Sequence, residues 1–73
     1  MATIVILSPL TDHGRALIDK FERVTGELPV TVNRGTGDRT YYMGRGGVES
    51  FDAMLDDLEP DWREHIARSA TDR

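Results

Sequence analysis

The sequence predicts a single small α+β domain with the element order β-α-β-β-α and a short further helix, in which the helices pack on one face of a three-stranded sheet. An apolar, mostly β-branched run opens the chain, two alternating segments flank a glycine-containing turn, and two segments carry apolar residues at helical spacing. A chain of 73 residues has room for one hydrophobic core. We place the domain at residues 1–70 and a frayed tail at 71–73.

The first strand is predicted at residues 2–7, where Ile4 to Leu7 form a continuous apolar run. Such a run is typical of a strand that is buried on both faces. In a sheet of three strands the first strand pairs with one strand of the hairpin and lies at an edge. Because the helices cover only one face, we expect a homodimer or a partner protein to cover the other.

The first helix begins at Ser8-Pro9, or alternatively at Thr11 or Asp12, and ends near Thr25 with Gly26 as its stop. Its apolar residues fall on one face at helical spacing, which predicts that this face packs on the core. They are Leu10, Leu17, Phe21 and Val24, with Ile18 beside them.

A β-hairpin follows, because Val30 and Val32 alternate with polar residues, as do Tyr41 and Met43. A two-residue turn at Thr36-Gly37 would set each valine opposite one of these larger apolar residues. A longer loop over residues 34–38 with a bulge is the competing prediction. Both versions put the four apolar residues on the face that packs against the helices.

A second helix is predicted over residues 48–58, where apolar residues recur at spacings of three and four. Pro60 interrupts the pattern because it lacks a backbone donor and disfavours helical geometry at the residue before it. We therefore expect a break, followed by a short third helix over residues 60–69. The apolar stripe consists of Val48, Phe51, Leu55, Leu58 and Trp62.

Composition and charge limit the classes of function. The net charge is −4, and residues 48–73 carry eight acids against three arginines, whereas residues 33–47 carry three arginines against one acid. Overall acidity argues against a general nucleic-acid binder. The absence of cysteine and of a long apolar run favours a cytoplasmic protein with no membrane span and no signal peptide.

The first candidate contact surface is an acidic ridge, formed by Glu49, Asp52, Asp56 and Glu59 beside the apolar stripe of the second helix. Carboxylates one helical turn apart, about 5.4 Å, resemble the spaced charges of a nucleic-acid backbone and would suit a basic groove. A solvated helix face on an acidic protein gives the same pattern.

The second candidate surface lies on the hairpin and combines Arg34, Arg39 and Arg45 with Tyr42. Arginines that hold phosphates and rings that stack on bases suit RNA or single-stranded DNA. Arginine and tyrosine are also favoured anchors of protein interfaces. Ordinary turn chemistry, with exposed arginines for solubility, explains the same residues.

No residue pattern predicts a catalytic site, a metal site or a cofactor. His13 and His65 are the only histidines, and a pair such as Asp61 with His65 supplies too few ligands for zinc. We expect both histidines to be surface groups. The glycines of residues 44–47 lack the lysine and serine or threonine of a phosphate-binding loop.

The leading hypothesis is therefore a small, acidic, non-enzymatic binding protein that acts through protein–protein contacts. Its sharper version is an inhibitor that presents the acidic ridge, as a DNA mimic, to a nucleic-acid-binding protein. In size and charge the chain resembles phage-encoded antagonists of host defence, including anti-CRISPR proteins, and this resemblance is one of class and not of sequence. The alternative is an accessory RNA- or single-stranded-DNA-binding domain that uses the hairpin arginines and Tyr42.

Overall fold

Two helices pack on one face of a four-stranded antiparallel sheet in the computed structural model, which describes residues 3–43 and 47–72. This confirms the α+β class. The elements, in chain order, are β1 (Thr3–Pro9), α1 (Asp12–Thr25), β2 (Thr31–Val32), β3 (Arg39–Met43), α2 (Gly47–Leu58), a 3-10 helix (Trp62–Glu64) and β4 (Ile66–Asp72).

The sheet has four strands in the order β2-β3-β1-β4, so the predictions of three strands and of an edge position for β1 are wrong. β1 pairs with β3 on one side and with β4 along seven register positions on the other.

The predicted third helix over residues 60–69 is wrong as well, because only Trp62–Glu64 are helical and β4 follows. Strand pairing with β1 overrides the local helical pattern of this segment. β4 also includes Thr71 and Asp72, which the sequence prediction assigned to the frayed tail.

The apolar run of β1 divides between the two faces of the sheet. Val5 and Leu7 are fully buried on the inner face, which carries the helices, whereas Ile4 and Ile6 are half-buried on the outer face. Within one chain β1 is therefore buried on one face only.

The helix α1 begins at the alternative predicted start, with Thr11 as its N-cap and Asp12 as its first residue. The Thr11 hydroxyl accepts a hydrogen bond from the Gly14 N–H at 3.0 Å and caps the helix. Gly26 ends it with φ of 78° and donates its N–H to the Glu22 carbonyl at 2.9 Å, which confirms Gly26 as the stop. Leu10 and Val24, predicted to face the core, are instead 59% and 62% exposed.

The hairpin has the longer loop and not the two-residue turn. Val32 pairs with Arg39 and not with Tyr41, which shifts the register by two residues and keeps Val32 on the inner face. The Asn33 N–H donates to the Asp38 carbonyl at 2.8 Å, and Gly37 closes the loop with φ of 84°. Val30 and Val32 are about half exposed, at 51% and 49%, so the floor under the helices is formed by β1 and β3.

The core is aromatic at its centre. Phe21 of α1, Tyr41 of β3 and Phe51 of α2 lie in contact, with ring centroids 4.7 to 6.4 Å apart. Leu55 and Trp62 continue this cluster, as the predicted apolar stripe requires, and both are at most 1% exposed.

The order β-α-β-β-α-β with this strand order is the ferredoxin-like, or split β-α-β, arrangement. A fold of this kind does not by itself define a function. Neither of the two described helices has the length and apolar character that crossing a membrane requires.

The start of α1 packs directly against the segment that leads into β4. The Leu10 N–H donates to the His65 carbonyl at 2.7 Å. A Cβ atom added to Gly14 would lie 2.0 Å from the same carbonyl oxygen, so only glycine allows this approach. Gly14 thus joins the first helix to the last strand.

We predict that Gly14→Ala lowers the free energy of unfolding, by roughly 1–3 kcal/mol, because overpacking against a backbone carbonyl outweighs the gain of about 1 kcal/mol in helix propensity. Urea denaturation measures the change. Gly35→Ala is the matched control, since its added Cβ would meet only the Asn33 side chain at 3.4 Å. Equal stability of the two variants would contradict the close approach.

Candidate functional site

The outer face of the sheet carries no charged residue among the described strand positions. Strand alternation and register place nine side chains there, from all four strands. In a chain of which 30% is charged, a face of this size without charge is unexpected for ordinary solvated surface. The nine residues are Thr31, Thr40, Tyr42, Ile4, Ile6, Ser8, Ala67, Ser69 and Thr71.

This outer face is apolar at its centre and hydroxyl-rich around it. Ile4 and Ile6 lie on the central strand β1, and Tyr42, which is 61% exposed, lies directly opposite Ile4 on β3. Threonine and serine hydroxyls flank the isoleucines on both neighbouring strands. The arrangement resembles the composition of interface cores, where charged residues are depleted and tyrosine is enriched.

On the inner face, two arginines each join the sheet to one helix. Arg39 and Arg68 lie opposite Leu7 on its two sides, in β3 and β4. Arg68 donates to both carboxylate oxygens of Asp52 in α2, at 3.0 and 2.5 Å. Arg39 makes the equivalent contact with α1, at 2.6 Å to Asp19 and 2.8 Å to Glu22. Bidentate and paired contacts of this kind are the stronger class of ion pair.

Three of the four carboxylates of the predicted acidic ridge have partners within the chain. Asp52 pairs with Arg68, Asp56 accepts a hydrogen bond from the Trp62 indole N–H at 2.6 Å, and Glu59 contacts His13 at 2.8 Å. Arg63 adds a second cation at 3.7 Å from Asp52 and 3.4 Å from Asp56. Glu49 is exposed, and no described residue forms an ion pair with it. These contacts reduce the net negative charge that the ridge presents to solvent.

The hairpin residues predicted to act together lie apart. The Arg39 side chain is only 17% exposed on the inner side of the sheet, whereas Tyr42 lies on the outer face and Arg34 is exposed in the loop. Arg45 is outside the described residues. Arg39 is therefore a structural group, and Arg34 and Tyr42 are accessible.

The environment of Arg39 includes a buried tyrosine. Burial raises the pKa of Tyr41 above its usual range, and the carboxylate of Glu22, which accepts the phenolic hydrogen bond, raises it further. Burial lowers the pKa of Arg39, but its hydrogen bonds to Asp19 and Glu22 more than offset this, so its pKa is raised overall. The Arg39 Nε is buried and finds no hydrogen-bond partner among the described residues.

A third constellation, which sequence reasoning missed, brings His13, Glu59 and His65 together on the helix side of the molecule. His13 Nε2 lies 2.8 Å from both carboxylate oxygens of Glu59. The rings of His13 and His65 meet edge to face with centroids 4.5 Å apart. One ligand-type atom from each of the three residues lies within 4.8 Å of the other two. Because His13 and Glu59 lie 46 residues apart in the chain, no short sequence motif indicates this cluster.

Comparison with known proteins adds no functional information. The chain matches no protein-family model, no curated protein and no solved structure.

We predict that Arg39→Ala lowers the free energy of unfolding by about 2 kcal/mol, between the 0–1 kcal/mol of an exposed ion pair and the 3–5 kcal/mol of a buried one. The reason is that Glu22, itself only 19% exposed, loses its cation. Urea denaturation gives the value, and Arg34→Ala, which removes an exposed arginine of the same hairpin, is expected to change it by less than about 0.5 kcal/mol. Similar small effects of both substitutions would show that Arg39 is not a structural group.

We also predict that the stability of the protein falls above pH 10. The pKa of Tyr41 is raised in the folded state, so as the pH rises the unfolded chain releases the phenolic proton first. The free energy of unfolding therefore falls by about 1.4 kcal/mol per pH unit in this range. This contribution is fully present below pH 10. Urea denaturation at pH 9 and pH 11 measures it, and Tyr41→Phe is expected to remove this part of the slope. An unchanged slope in Tyr41→Phe would show that another group is responsible.

Proposed function

We propose that this protein is a small non-enzymatic binding protein that acts through protein–protein contacts, and that the outer face of its sheet is the contact surface. The observation that supports this proposal is the absence of charge from the nine described residues of that face. A partner can dehydrate hydroxyl and aliphatic groups at far lower cost than unpaired charges. Ile4 and Ile6 supply apolar area at the centre, and Tyr42 supplies an aromatic anchor.

The partner that suits this face best is a second copy of the chain. Each copy carries a net charge of −4, so two copies repel each other wherever acidic surfaces meet. The outer face brings no charges together. Its threonine, serine and tyrosine hydroxyls both donate and accept hydrogen bonds, so they can pair with the same groups of a copy related by a two-fold axis. Two sheets stacked face to face would bury the apolar centre of each.

An inhibitor that presents the acidic ridge to a basic groove is supported less well. Asp52, Asp56 and Glu59 would have to exchange their internal partners for those of a target. Breaking the bidentate Asp52–Arg68 contact would also remove the ion pair between α2 and β4. Contact through the outer face needs no such exchange.

The alternative of an RNA- or single-stranded-DNA-binding domain depends on the same outer face. Four-stranded sheets that bind RNA stack bases on aromatic side chains of the central strands. Here the described outer face offers one ring, that of Tyr42, and no cation to hold phosphates. Arg39 is already paired with Asp19 and Glu22. Protein contact therefore has the stronger support.

We expect the protein to be dimeric by light scattering on a size-exclusion column. Tyr42→Glu is expected to raise the dissociation constant at least tenfold, about 1.4 kcal/mol, because it places two like charges across the interface. Ala53→Glu is the matched control, since it adds the same charge at an exposed position of α2 and is expected to leave the dimer unchanged.

A strict monomer at the highest soluble concentration would contradict self-association through this face. Equal weakening by Tyr42→Glu and Ala53→Glu would place the contact elsewhere. Salt-dependent binding of a single-stranded RNA oligonucleotide that Tyr42→Ala weakens, with Ala53→Glu unaffected, would favour the nucleic-acid alternative.

A further inference from the structure

Three potential metal ligands converge where α1 begins, where α2 ends and where β4 begins. His13 lies in the first turn of α1, Glu59 directly follows α2, and His65 joins the 3-10 helix to β4. Their ligand atoms lie within 4.8 Å of one another. From this geometry we propose that His13, Glu59 and His65 bind one divalent transition-metal ion, with Zn²⁺ as the preferred ion.

The backbone around His65 holds this ligand in place before any ion binds. Its carbonyl accepts the Leu10 N–H at 2.7 Å, and Gly14 allows α1 to approach the same carbonyl. The site therefore depends on tertiary contacts that the fold needs in any case. A ligand held in this way loses little conformational freedom on metal binding.

The ring of His65 has a hydrogen-bonding partner that leaves one nitrogen available. Its Nδ1 lies 3.0 Å from the Thr11 hydroxyl oxygen, which also accepts the Gly14 N–H at 3.0 Å. In the tautomer with a proton on Nδ1, the ring donates to Thr11 and Nε2 carries a free lone pair. Metal-bound histidines commonly donate their second ring N–H to an oxygen in this manner. In this tautomer Nε2 is the nitrogen of His65 that can bind the ion.

His13 and Glu59 are already in direct contact before any ion binds. His13 Nε2 lies 2.8 Å from each oxygen of the Glu59 carboxylate, so a proton on Nε2 is shared with both. A metal ion would replace this proton, and Nε2 and the carboxylate would both become ligands. The His13 and Glu59 side chains are 54% and 29% exposed, so an ion can reach them from solvent.

The donor set selects the class of ion. Two imidazole nitrogens and one carboxylate suit Zn²⁺ and its transition-metal neighbours, whereas Mg²⁺ and Ca²⁺ prefer sites made of oxygen ligands. Three protein ligands leave at least one coordination position for water or for a group from another molecule. The site lies on the helix side of the sheet and does not depend on the proposed contact through the outer face.

Binding would join three parts of the chain that are distant in sequence. An ion that binds the folded state and not the unfolded one raises the melting temperature in proportion to the logarithm of its concentration. The ion would hold together the contact between α1 and the start of β4 that Gly14 permits.

Isothermal titration calorimetry with the full chain, prepared without a histidine tag, tests the proposal directly. We expect one Zn²⁺ per chain, a rise in melting temperature that chelator reverses, and no saturable binding of Mg²⁺. Glu59→Gln and His13→Gln are each expected to weaken Zn²⁺ binding at least tenfold. Glu64→Gln, which removes an exposed carboxylate next to His65, is the matched control and is expected to retain the wild-type affinity.

A second measurement uses the wild-type chain and needs no folded variant. In the NMR spectrum of the histidine rings, both His13 and His65 are expected to shift and to saturate at one equivalent of Zn²⁺. The proposal is overturned if no saturable Zn²⁺ binding occurs or if only one ring responds. It is also overturned if Glu64→Gln weakens binding as much as Glu59→Gln, or if two chains share one ion.

Discussion

β1 is hydrogen-bonded along both of its edges, and the position of every other element follows from this. The hairpin strand β3 pairs on one side, and β4, from the end of the chain, pairs on the other. Because a buried strand must satisfy its backbone donors and acceptors on both sides, β4 completes the sheet. The side chains of β1 then alternate between the face under the helices and a face that none of the described helices or strands covers.

The central position of β1 also explains where the charges lie. Leu7 is flanked on the inner face by one arginine from β3 and one from β4. Arg39 holds carboxylates of α1, and Arg68 holds a carboxylate of α2, so each helix is attached to the sheet by an ion pair at the rim of the apolar core. The acidic ridge and the hairpin arginines look like separate binding surfaces in the sequence. Each is partly neutralised by other residues of the chain, because Arg68 pairs with Asp52 and the carboxylates of α1 pair with Arg39. The nine described strand residues on the opposite side of the sheet are uncharged.

The same topology separates two candidate sites. The described outer face is uncharged and includes Ile4, Ile6 and Tyr42, whereas the helix side brings His13, Glu59 and His65 together at the ends of three elements. The first site is the proposed contact surface on the sheet. The second is a small group of hard and borderline ligands and suits a metal ion. Since the sheet lies between them, a change at one site can be made without touching the other.

The sequence by itself determined the α+β class, both long helices, the Gly26 stop and the opposite faces of Tyr41 and Tyr42, because each follows from short-range periodicity and from local backbone preferences. It did not determine β4: a segment with residues such as Ile66 and Arg68 satisfies a helical pattern locally, and only seven positions of pairing with β1 make it a strand. That one difference moved β1 from the edge to the interior. It also supplied Arg68 as the partner of Asp52.

The histidine cluster could not be predicted from the sequence either, because His13 lies 46 residues from Glu59 and only the packing of α1 against the start of β4 brings them into contact. Contacts between distant segments, and not local propensity, decided the site.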